Sequence, residues 1–297
     1  MPVPHASPGG RRGAIAAPPA LRTPLHALAG ILVFALAAAL AATWPAAPAA
    51  APAVQELLFP ASAADDGAPV MLRGQLTLPD GAGPFPAVIL LHGCGGLQPA
   101  VAEGLAIHAR ALNAAGFAAL VLDSFGPRGI AGGWVCETHM RLAEARRYRT
   151  QDALDAAAVL RAMPAIDGAN LFLIGQSNGG SVAIRLAQRE GREFRAIAAY
   201  YPWCGTFTRM GARARLSTPL IVFGGGADDW VAPDACTTIR AEGADYAVTV
   251  YPDAPHSFDL PIPRQRFQGH LVGNDAAAER DSRERMIAFF RRHLTGE

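Results

Sequence analysis

The chain has 297 residues, of which 51% are hydrophobic and 17% are charged, a balance that excludes an intrinsically disordered protein. Its formal net charge of +1 argues against a nucleic-acid-binding protein that acts through bulk positive charge. All 26 basic residues are arginine, because the sequence contains no lysine. A Walker-type phosphate loop, a Schiff-base lysine and a Ser-Lys dyad are therefore excluded, and covalent catalysis would need Ser, Cys, Thr, Asp, Glu, His or Tyr.

The N-terminal residues have the features of an export signal. Residues 1–53 contain three arginines and no acidic residue, and residues 27–42 form an uncharged apolar run. A Pro- and Ala-rich stretch with small-residue cleavage options follows at 44–53. The apolar run is shorter than the ~20 residues of a membrane-spanning helix, although an uncleaved N-terminal anchor is the alternative. We therefore expect a signal peptide at 1–53, a single domain at 54–297, and a periplasmic or secreted protein without obligate membrane contact after signal removal.

From residue 86 onward, short apolar runs alternate with helical stretches. The predicted strands are 71–78, 87–91, 117–122, 171–174, 196–201, 220–223 and 247–251, and the predicted helices are 101–115, 141–163, 178–190, one after Pro233, and 276–293. In the first predicted strand, apolar and polar residues alternate well enough for an antiparallel edge strand. Residues 123–140, in contrast, are Gly-rich and irregular. This pattern, after an initial hairpin, predicts an α/β fold with a mostly parallel central sheet and helices on both faces.

The sharpest motif is Gly175-Gln176-Ser177-Asn178-Gly179, placed between a predicted strand and a predicted helix. A strand-to-helix turn this tight needs small neighbours, and it exposes the Ser177 hydroxyl above the sheet. It also sets the backbone N–H of Asn178 at a helix N-terminus, where developing negative charge is stabilised. The motif therefore predicts a nucleophilic serine, and the alternative is a Gly-rich structural turn.

A serine hydroxyl needs a base, and the base needs an acid to orient it. His256 follows strand 247–251, so it is expected at the same sheet edge as Ser177. A solvent-exposed loop histidine is the alternative, and His270 is the rival base. Asp228 and Asp229 follow strand 220–223, and spacing does not separate them. The aspartate that does not orient the histidine is expected to be a helix cap or turn residue. The chain order Ser, Asp, His is that of the α/β-hydrolase fold.

A second oxyanion donor is expected in the turn after strand 87–91. The sequence there is His92-Gly93-Cys94-Gly95-Gly96, whose glycines allow backbone amides to point inward, and the N–H of Cys94 is the candidate. We interpret His92 as a structural hydrogen-bonding residue at the end of the strand. Cys94 itself lacks the elbow that a nucleophile needs.

Cysteine usage fits an exported protein. The four cysteines are an even number in an oxidising compartment, which predicts one or two disulfides. The sequence contains no CxxC or HExxH spacing, so we expect neither zinc nor another metal, and the chemistry requires no cofactor.

These motifs resemble the dienelactone hydrolase family of α/β hydrolases over residues 76–292. The resemblance rests on the turn at 92–96, the segment 123–129, the elbow, Tyr201-Pro202-Trp203-Cys204, Ala227-Asp228-Asp229-Trp230 and Pro255-His256-Ser257-Phe258. In members with an Asp-Asp-Trp segment the first Asp is the catalytic one, which implies Asp228. The family pattern also implies a disulfide between Cys204 and Cys236. A pairing of Cys94 with Cys136 is the suggested second disulfide.

The sequence departs from the namesake enzymes at the nucleophile. Those enzymes carry Cys in the elbow and hold it with a Glu, whereas here the elbow has Ser177 and the turn at 92–97 has no Glu. The departure favours a general ester hydrolase over a dienelactone hydrolase. By likeness to family arginines, Arg128 is a candidate for binding a substrate carboxylate, with a surface or loop-anchoring role as the alternative. Phe125 and Trp134 are the candidate cavity wall.

The sequence as a whole predicts an exported serine hydrolase that acts on small carboxylic esters, with no nucleic-acid partner. The same machinery acting on peptide bonds, or transferring an acyl group to another acceptor, is the nearest alternative. A catalytically silent binding module is the alternative from another class. The natural substrate, its acyl and alcohol groups, and the oligomeric state are not predicted.

Overall fold

The structure, a computed structural model, describes residues 53–62, 69–205 and 213–296. The predicted export segment lies outside the described residues, apart from Ala53. Within the described ranges, no helix is both long and apolar enough to cross a membrane.

Strands and helices alternate along most of the described chain. The strands are β1 Val54–Pro60, β2 Met71–Thr77, β3 Phe85–Leu91, β4 Ala118–Asp123, β5 Ile166–Gln176, β6 Ile197–Tyr200, β7 Arg213–Arg215, β8 Leu220–Gly225, β9 Arg240–Glu242, β10 Tyr246–Tyr251, β11 Gln265–Phe267 and β12 His270–Val272. The helices are α1 Pro99–Ala114, α2 His139–Arg161, α3 Asn178–Ala187, α4 Asp234–Thr237 and α5 Ala276–Arg292. Two short 3₁₀ helices, Gly126–Arg128 and Trp134–Glu137, lie in the segment predicted to be irregular.

The central sheet of the described residues has eight strands in the order β1-β2-β4-β3-β5-β6-β8-β10. Strands β1 and β2 pair antiparallel, as do β2 and β4, and every other pair in this sheet is parallel. The prediction of a mostly parallel α/β sheet is therefore confirmed. Because β3, β5, β8 and β10 run parallel, the loops after them meet at one edge of the sheet.

Helices cover both faces of the sheet, as the sequence predicts. In β3, the side chains of Ala87, Ile89 and Leu91 pack into one core with α2 and α3, whereas Val88 and Leu90 pack into a second core with α1 and α5. Alternate residues of the strand thus face opposite cores, and this accounts for its continuous apolar sequence.

The first strands differ from the prediction. Strand β2 lies second from the edge, because β1 covers it in an antiparallel pair. Only Phe59 of β1 is buried, so its sequence has too little apolar alternation to identify it as a strand. The ribbons β7–β9 and β11–β12 each consist of two three-residue strands, too short for a periodic signal.

Candidate active site

The elbow at Ser177 is a strained turn between β5 and α3. Ser177 has φ 52° and ψ −113°, a backbone conformation that costs free energy in an L-residue. A β-carbon on Gly175 would lie 2.1 Å from the carbonyl oxygen of Gly179, and one on Gly179 would lie 2.6 Å from the carbonyl oxygen of His92. Strand and helix approach so closely that both positions require glycine. The Ser177 amide donates to the Tyr200 carbonyl at 2.9 Å, which ties the turn to β6.

The structure brings Ser177, His256 and Asp228 together. The Nε2 atom of His256 lies 3.0 Å from the Ser177 Oγ, and its Nδ1 atom lies 2.7 Å from the Asp228 Oδ2. The other Asp228 oxygen accepts the backbone N–H groups of Trp230 and Val231, both at 2.9 Å. The carboxylate is thereby fixed to accept from Nδ1–H, which leaves Nε2 with a lone pair that faces the serine hydroxyl.

Asp229 and His270, the alternative acid and base, make contacts elsewhere. Asp229 is exposed, and its Oδ1 accepts the Leu271 amide at 2.7 Å while its Oδ2 pairs with Arg266 at 3.2 Å. The hydrogen bond from Leu271 and the charge of Arg266 lower the pKa of Asp229. His270 stacks on Trp230 with ring centroids 4.7 Å apart. Asp229 and His270 therefore attach the β11–β12 hairpin to this loop, a contact rather than the helix cap or turn expected for Asp229.

Two aromatic rings confine the His256 imidazole. The Tyr201 ring centroid lies 4.6 Å from that of His256, and the Trp230 centroid lies 5.1 Å from it. Tyr201 has a positive φ of 36°, so its backbone, like that of Ser177, is held in a strained conformation. With these contacts and that to Asp228, the imidazole is restrained by two aromatic neighbours and at Nδ1.

A buried carboxylate supports this arrangement from below. Asp259 accepts hydrogen bonds from the Tyr201 hydroxyl at 2.6 Å and from the Gln176 amide at 2.8 Å, and it contacts His108 Nε2 at 2.7 Å. Burial favours the neutral acid, but the hydrogen bond and charge of His108, aided by the other two donors, lower the pKa of Asp259. The sequence reading missed Asp259 and His108, because nothing in the pattern shows that α1 and the loop after His256 meet.

The predicted oxyanion donors also lie at Ser177. Cys94 and Asn178 line the same cavity as Ser177. A β-carbon on Gly93 would lie 3.3 Å from the Ser177 Cβ, so the chain after β3 runs directly against the serine. Asn178 is the first residue of α3, where backbone amides have no intrahelical acceptor.

A buried arginine, Arg149, links the two strand ends that carry these amides. Its Nη1 donates to the Asn178 Oδ1 at 2.8 Å, and its Nη2 donates to the His92 carbonyl at 2.6 Å. The guanidinium lies 4.9 Å from the centroid of the Phe125 ring. Burial lowers the pKa of Arg149 to about 10, so the side chain remains a cation at neutral pH. The sequence reading missed this residue because arginines on a long helix are usually exposed.

His92 has the structural role that the sequence predicts. It is fully buried, with Nδ1 2.7 Å from the Gly93 carbonyl and Nε2 3.4 Å from the Ser124 amide. The neutral tautomer with hydrogen on Nδ1 satisfies both contacts. Burial and the nearby Arg149 charge hold the pKa of His92 well below its usual range.

The three predicted substrate-contacting residues lie elsewhere. The Arg128 side chain is buried, and its two terminal nitrogens each lie 2.9 Å from an oxygen of Asp152. It therefore anchors the loop to α2, the alternative role, and its guanidinium is occupied by Asp152 instead of a substrate carboxylate. Phe125 is buried beneath Arg149 and His92. Trp134 is on the surface, with the Arg141 guanidinium 3.9 Å from its ring centroid. None of the three lines a cavity at Ser177.

Two cavities meet at Ser177. The α1 cavity, about 330 Å³, is lined by Gly93, Cys94, Gly95, Gln98, Ala100, Val101, Cys136, Gln176, Ser177, Tyr201, Trp230, His256, Ser257, Leu260, Ile262, Gln265, Phe267 and Val272. The α2 cavity, about 350 Å³, is lined by Cys94, His139, Leu142, Ala143, Arg146, Ser177, Asn178, Ser181, Trp203, Trp230 and Val231. Each volume is within the range of small-molecule sites.

Both expected disulfides are present. Cys94 pairs with Cys136, which joins the turn after β3 to the 3₁₀ helix Trp134–Glu137. Cys204 pairs with Cys236, which joins the segment after β6 to α4. Among the residues that the structure describes, no group of three or more His, Cys, Asp or Glu side chains is arranged to hold a metal ion.

The sheet, its covering helices and the elbow define an α/β-hydrolase fold. A profile of the dienelactone hydrolase family matches residues 72–294, and the chain therefore belongs to that family. The chain is 30% identical over 139 residues to Esterase FrsA of Escherichia fergusonii, a match that covers 46% of this chain and 29% of the relative. It is 31% identical over 131 residues to Esterase FrsA of Enterobacter sp. strain 638, covering 44% and 28%. The chain thus spans less than a third of these curated relatives.

Solved structures share the fold. A dienelactone hydrolase-like promiscuous phosphotriesterase from metagenomic libraries superposes with a TM-score of 0.62 at 23% identity, over 82% of this chain and 100% of that one. The dienelactone hydrolase of Anabaena variabilis gives a TM-score of 0.54 at 19% identity, over 82% and 99%. Dipeptidyl peptidase 4 of Porphyromonas gingivalis gives 0.55 at 15% identity, over 82% of this chain and 36% of that one.

Proposed function

We propose that this hydrolase cleaves carboxylic esters through an acyl-enzyme intermediate formed on Ser177. The observation that carries the proposal is the pair of contacts that joins the Ser177 Oγ to His256 at 3.0 Å and His256 to Asp228 at 2.7 Å. A hydroxyl becomes a useful nucleophile only when a base is placed to take its proton, and this geometry supplies the base.

The reaction has two halves. The Ser177 oxygen bonds to the ester carbonyl carbon while its proton passes to His256 Nε2, and the oxyanion accepts hydrogen bonds from the Cys94 and Asn178 amides. The carbon–oxygen bond to the alcohol then breaks, and the alcohol takes the proton from His256. In the second half, water attacks the acyl-enzyme carbonyl while His256 takes its proton. The bond to the Ser177 oxygen then breaks, Ser177 recovers the proton from His256, and the carboxylic acid is released. Proton transfer contributes about 10²–10⁴ in rate, and each oxyanion donor about 10²–10³.

Several observations support esters as the substrate. The curated relatives are named esterases, although they match less than half of this chain. The elbow carries serine where dienelactone hydrolases carry cysteine. Arg128, the candidate ligand for a substrate carboxylate, is instead paired with Asp152. A peptidase on this fold is the second candidate. The resemblance of this chain to dipeptidyl peptidase 4, however, is one of fold alone. A silent binding module is disfavoured because Ser177, His256 and Asp228 are in contact.

We also propose that the protein acts outside the cytoplasm. The basic, apolar and small-residue segments of residues 1–53 support export. The two disulfides support an oxidising compartment, since such bonds rarely persist in a reducing cytosol.

Hydrolysis of p-nitrophenyl acetate and butyrate by wild type and by Ser177→Ala tests the proposed function. We expect kcat to fall by at least about 10³ in the variant, because the nucleophile is removed. Ser217→Ala is the matched control, since Ser217 lines neither the α1 cavity nor the α2 cavity. It should keep kcat within about tenfold of wild type. Equal ester turnover in wild type and Ser177→Ala would exclude Ser177 as the nucleophile, and cleavage of peptides without esters would favour the peptidase.

A further inference from the structure

The α1 and α2 cavities share the nucleophile but not the base. Cys94, Ser177 and Trp230 line both cavities, so each opens onto the reacting atom and the turn that carries the oxyanion donor. His256 lines the α1 cavity and does not line the α2 cavity. Asn178 shows the reverse pattern. The two cavities are therefore chemically distinct positions around one serine.

This asymmetry determines where each half of an ester fits. The leaving alcohol oxygen must lie at His256 Nε2, because that nitrogen donates the proton that releases it. The carbonyl oxygen must face the amides of Cys94 and Asn178. With those two positions taken, the acyl group extends away from His256. We propose that the α1 cavity binds the alcohol group and the α2 cavity binds the acyl group, an assignment that rests on the proposed ester hydrolysis.

The size of the α1 cavity indicates the alcohol. A cavity of about 150 Å³ is enough for benzene, so the volume of about 330 Å³ accepts a substituted ring or a branched chain. Its lining is mainly apolar and includes Val101 on α1 and Leu260, Ile262 and Val272 in the C-terminal part. Burial of apolar surface against these side chains favours an apolar alcohol group.

The α2 cavity is of similar size and is also mainly apolar. Its volume is about 350 Å³, and its wall includes Leu142 on α2 and the indole of Trp203. The guanidinium of Arg146 lies 5.0 Å from the centroid of the Trp203 ring. A flat aromatic acyl group can lie against the indole and the aliphatic wall, with its ring edge toward polar groups. The preferred substrate class is thus an ester with an apolar, ring-sized group in both its acyl and its alcohol part, such as an aromatic acid joined to a benzyl-type alcohol.

Two alanines allow a matched test. Ala100 is in the first turn of α1 and lines only the α1 cavity, whereas Ala143 is on α2 and lines only the α2 cavity. Ala100→Phe and Ala143→Phe each add the same ring to one cavity. The kcat/KM of wild type and both variants is measured for methyl acetate, benzyl acetate, methyl benzoate and benzyl benzoate. Because each variant is compared with wild type on the same ester, differences in intrinsic ester reactivity cancel.

We expect opposite patterns from the two variants. Ala100→Phe should lower kcat/KM for benzyl acetate by about tenfold or more and change that for methyl benzoate by less than about threefold. Ala143→Phe should lower kcat/KM for methyl benzoate and spare benzyl acetate, and both should impair benzyl benzoate. In each variant the spared ester shows that the enzyme is folded and its triad intact. The Val substitutions at both positions should give the same pattern with smaller changes.

The outcomes separate the inference from the function beneath it. If wild type hydrolyses these esters and the pattern is reversed, or both variants affect both esters equally, the assignment of the cavities is wrong while ester hydrolysis stands. If folded wild type hydrolyses none of the esters, including the p-nitrophenyl esters, the proposed function fails and the assignment fails with it.

Discussion

The protein holds the two sides of Ser177 in different ways. On the His256 side, the Asp228 carboxylate is fixed by two backbone amides and by the imidazole, all in loops that follow β8 and β10. On the Cys94 side, the buried cation of Arg149 reaches from α2 to the His92 carbonyl and the Asn178 side chain. The first arrangement uses short-range backbone donors, whereas the second depends on one long side chain and a disulfide.

The difference has consequences for mutation. On the His256 side, replacement of Asp228 by Asn would alter the proposed proton transfer directly, yet the amide oxygen could still accept the Trp230 and Val231 backbone N–H groups. Removal of Arg149 leaves the His92 carbonyl and the Asn178 amide oxygen without that donor in a buried region, which costs about 1–3 kcal/mol per buried group. We therefore expect the Cys94 side to couple catalysis to stability more tightly than the His256 side does.

The largest effect should come from the acid on the His256 side. Asp228→Asn should lower kcat by about 10³–10⁴, since an amide presents the wrong hydrogen-bonding partner to His256 Nδ1. Asp229→Asn is the matched control and should lower kcat by less than about fivefold, because Asp229 only attaches the β11–β12 hairpin. Steady-state kinetics with p-nitrophenyl butyrate measures both. A larger loss from Asp229→Asn would reassign the acid.

The two disulfides offer a direct contrast between the Cys94 side and a site away from it. They join residues 42 and 32 positions apart, so replacing either pair by serine should destabilise the fold to a similar extent, about 2–4 kcal/mol. The Cys94→Ser/Cys136→Ser variant should lower kcat more than the other, because that bond holds the turn that carries the proposed oxyanion donor.

Urea denaturation and ester kinetics, performed on both double variants below their unfolding transitions, separate the two effects. A loss of kcat in the Cys204→Ser/Cys236→Ser variant as large as in the other would show that the effect is general loosening, and the contrast between the two sites would then be wrong.

Arg149 tests the cation on the Cys94 side. Arg149→Met should lower kcat by about 10–100-fold with a smaller change in KM, because the segments that carry the two proposed oxyanion donors lose their support. Arg149→Lys keeps a charge and should recover part of the loss. Arg147→Met, two residues away on the exposed face of α2, is the control and should be close to wild type. Equal losses in kcat and substrate binding, unrelieved by lysine, would indicate a purely structural role.

The smallest effect concerns pH and His92. Its folded-state pKa is depressed by burial, so its contribution to stability is present above the unfolded pKa of about 6.5 and is lost as pH falls below it. Between about pH 7.5 and about pH 5.5, wild type should lose about 1 kcal/mol more unfolding free energy than His92→Gln. Denaturant titrations at several pH values measure the two slopes. Identical slopes would show that His92 becomes protonated in the folded protein.

Much of the His256 side could be predicted from the sequence. Ser177, Asp228 and His256 each follow a parallel strand of the central sheet, and parallel strands bring the residues after them to one edge. Strand order therefore carries the prediction across the 51 and 28 residues that separate these side chains along the chain. The choice of Asp228 over Asp229 came from the family resemblance.

The supporting residues could not be predicted in the same way. Arg149 and Asp259 act because α2 and the loop after His256 pack against particular atoms, and no periodicity encodes which side chain of a helix reaches a carbonyl. Arg128 is the opposite case, a residue that was predicted to contact substrate and does not. Its loop lies beside the site, but Asp152 on α2 pairs with it in the interior, and the sequence gives no sign of that partner.

Covalent labelling with an alkyl fluorophosphonate tests most directly whether His256 activates Ser177. Attack by the serine oxygen forms an oxygen–phosphorus bond and expels fluoride, and mass spectrometry of the digested protein locates the adduct. We expect one adduct, on the peptide that contains Ser177, formed rapidly in wild type, slowly in His256→Ala and not at all in Ser177→Ala. An adduct at another residue, or labelling of His256→Ala as fast as wild type, would contradict this mechanism.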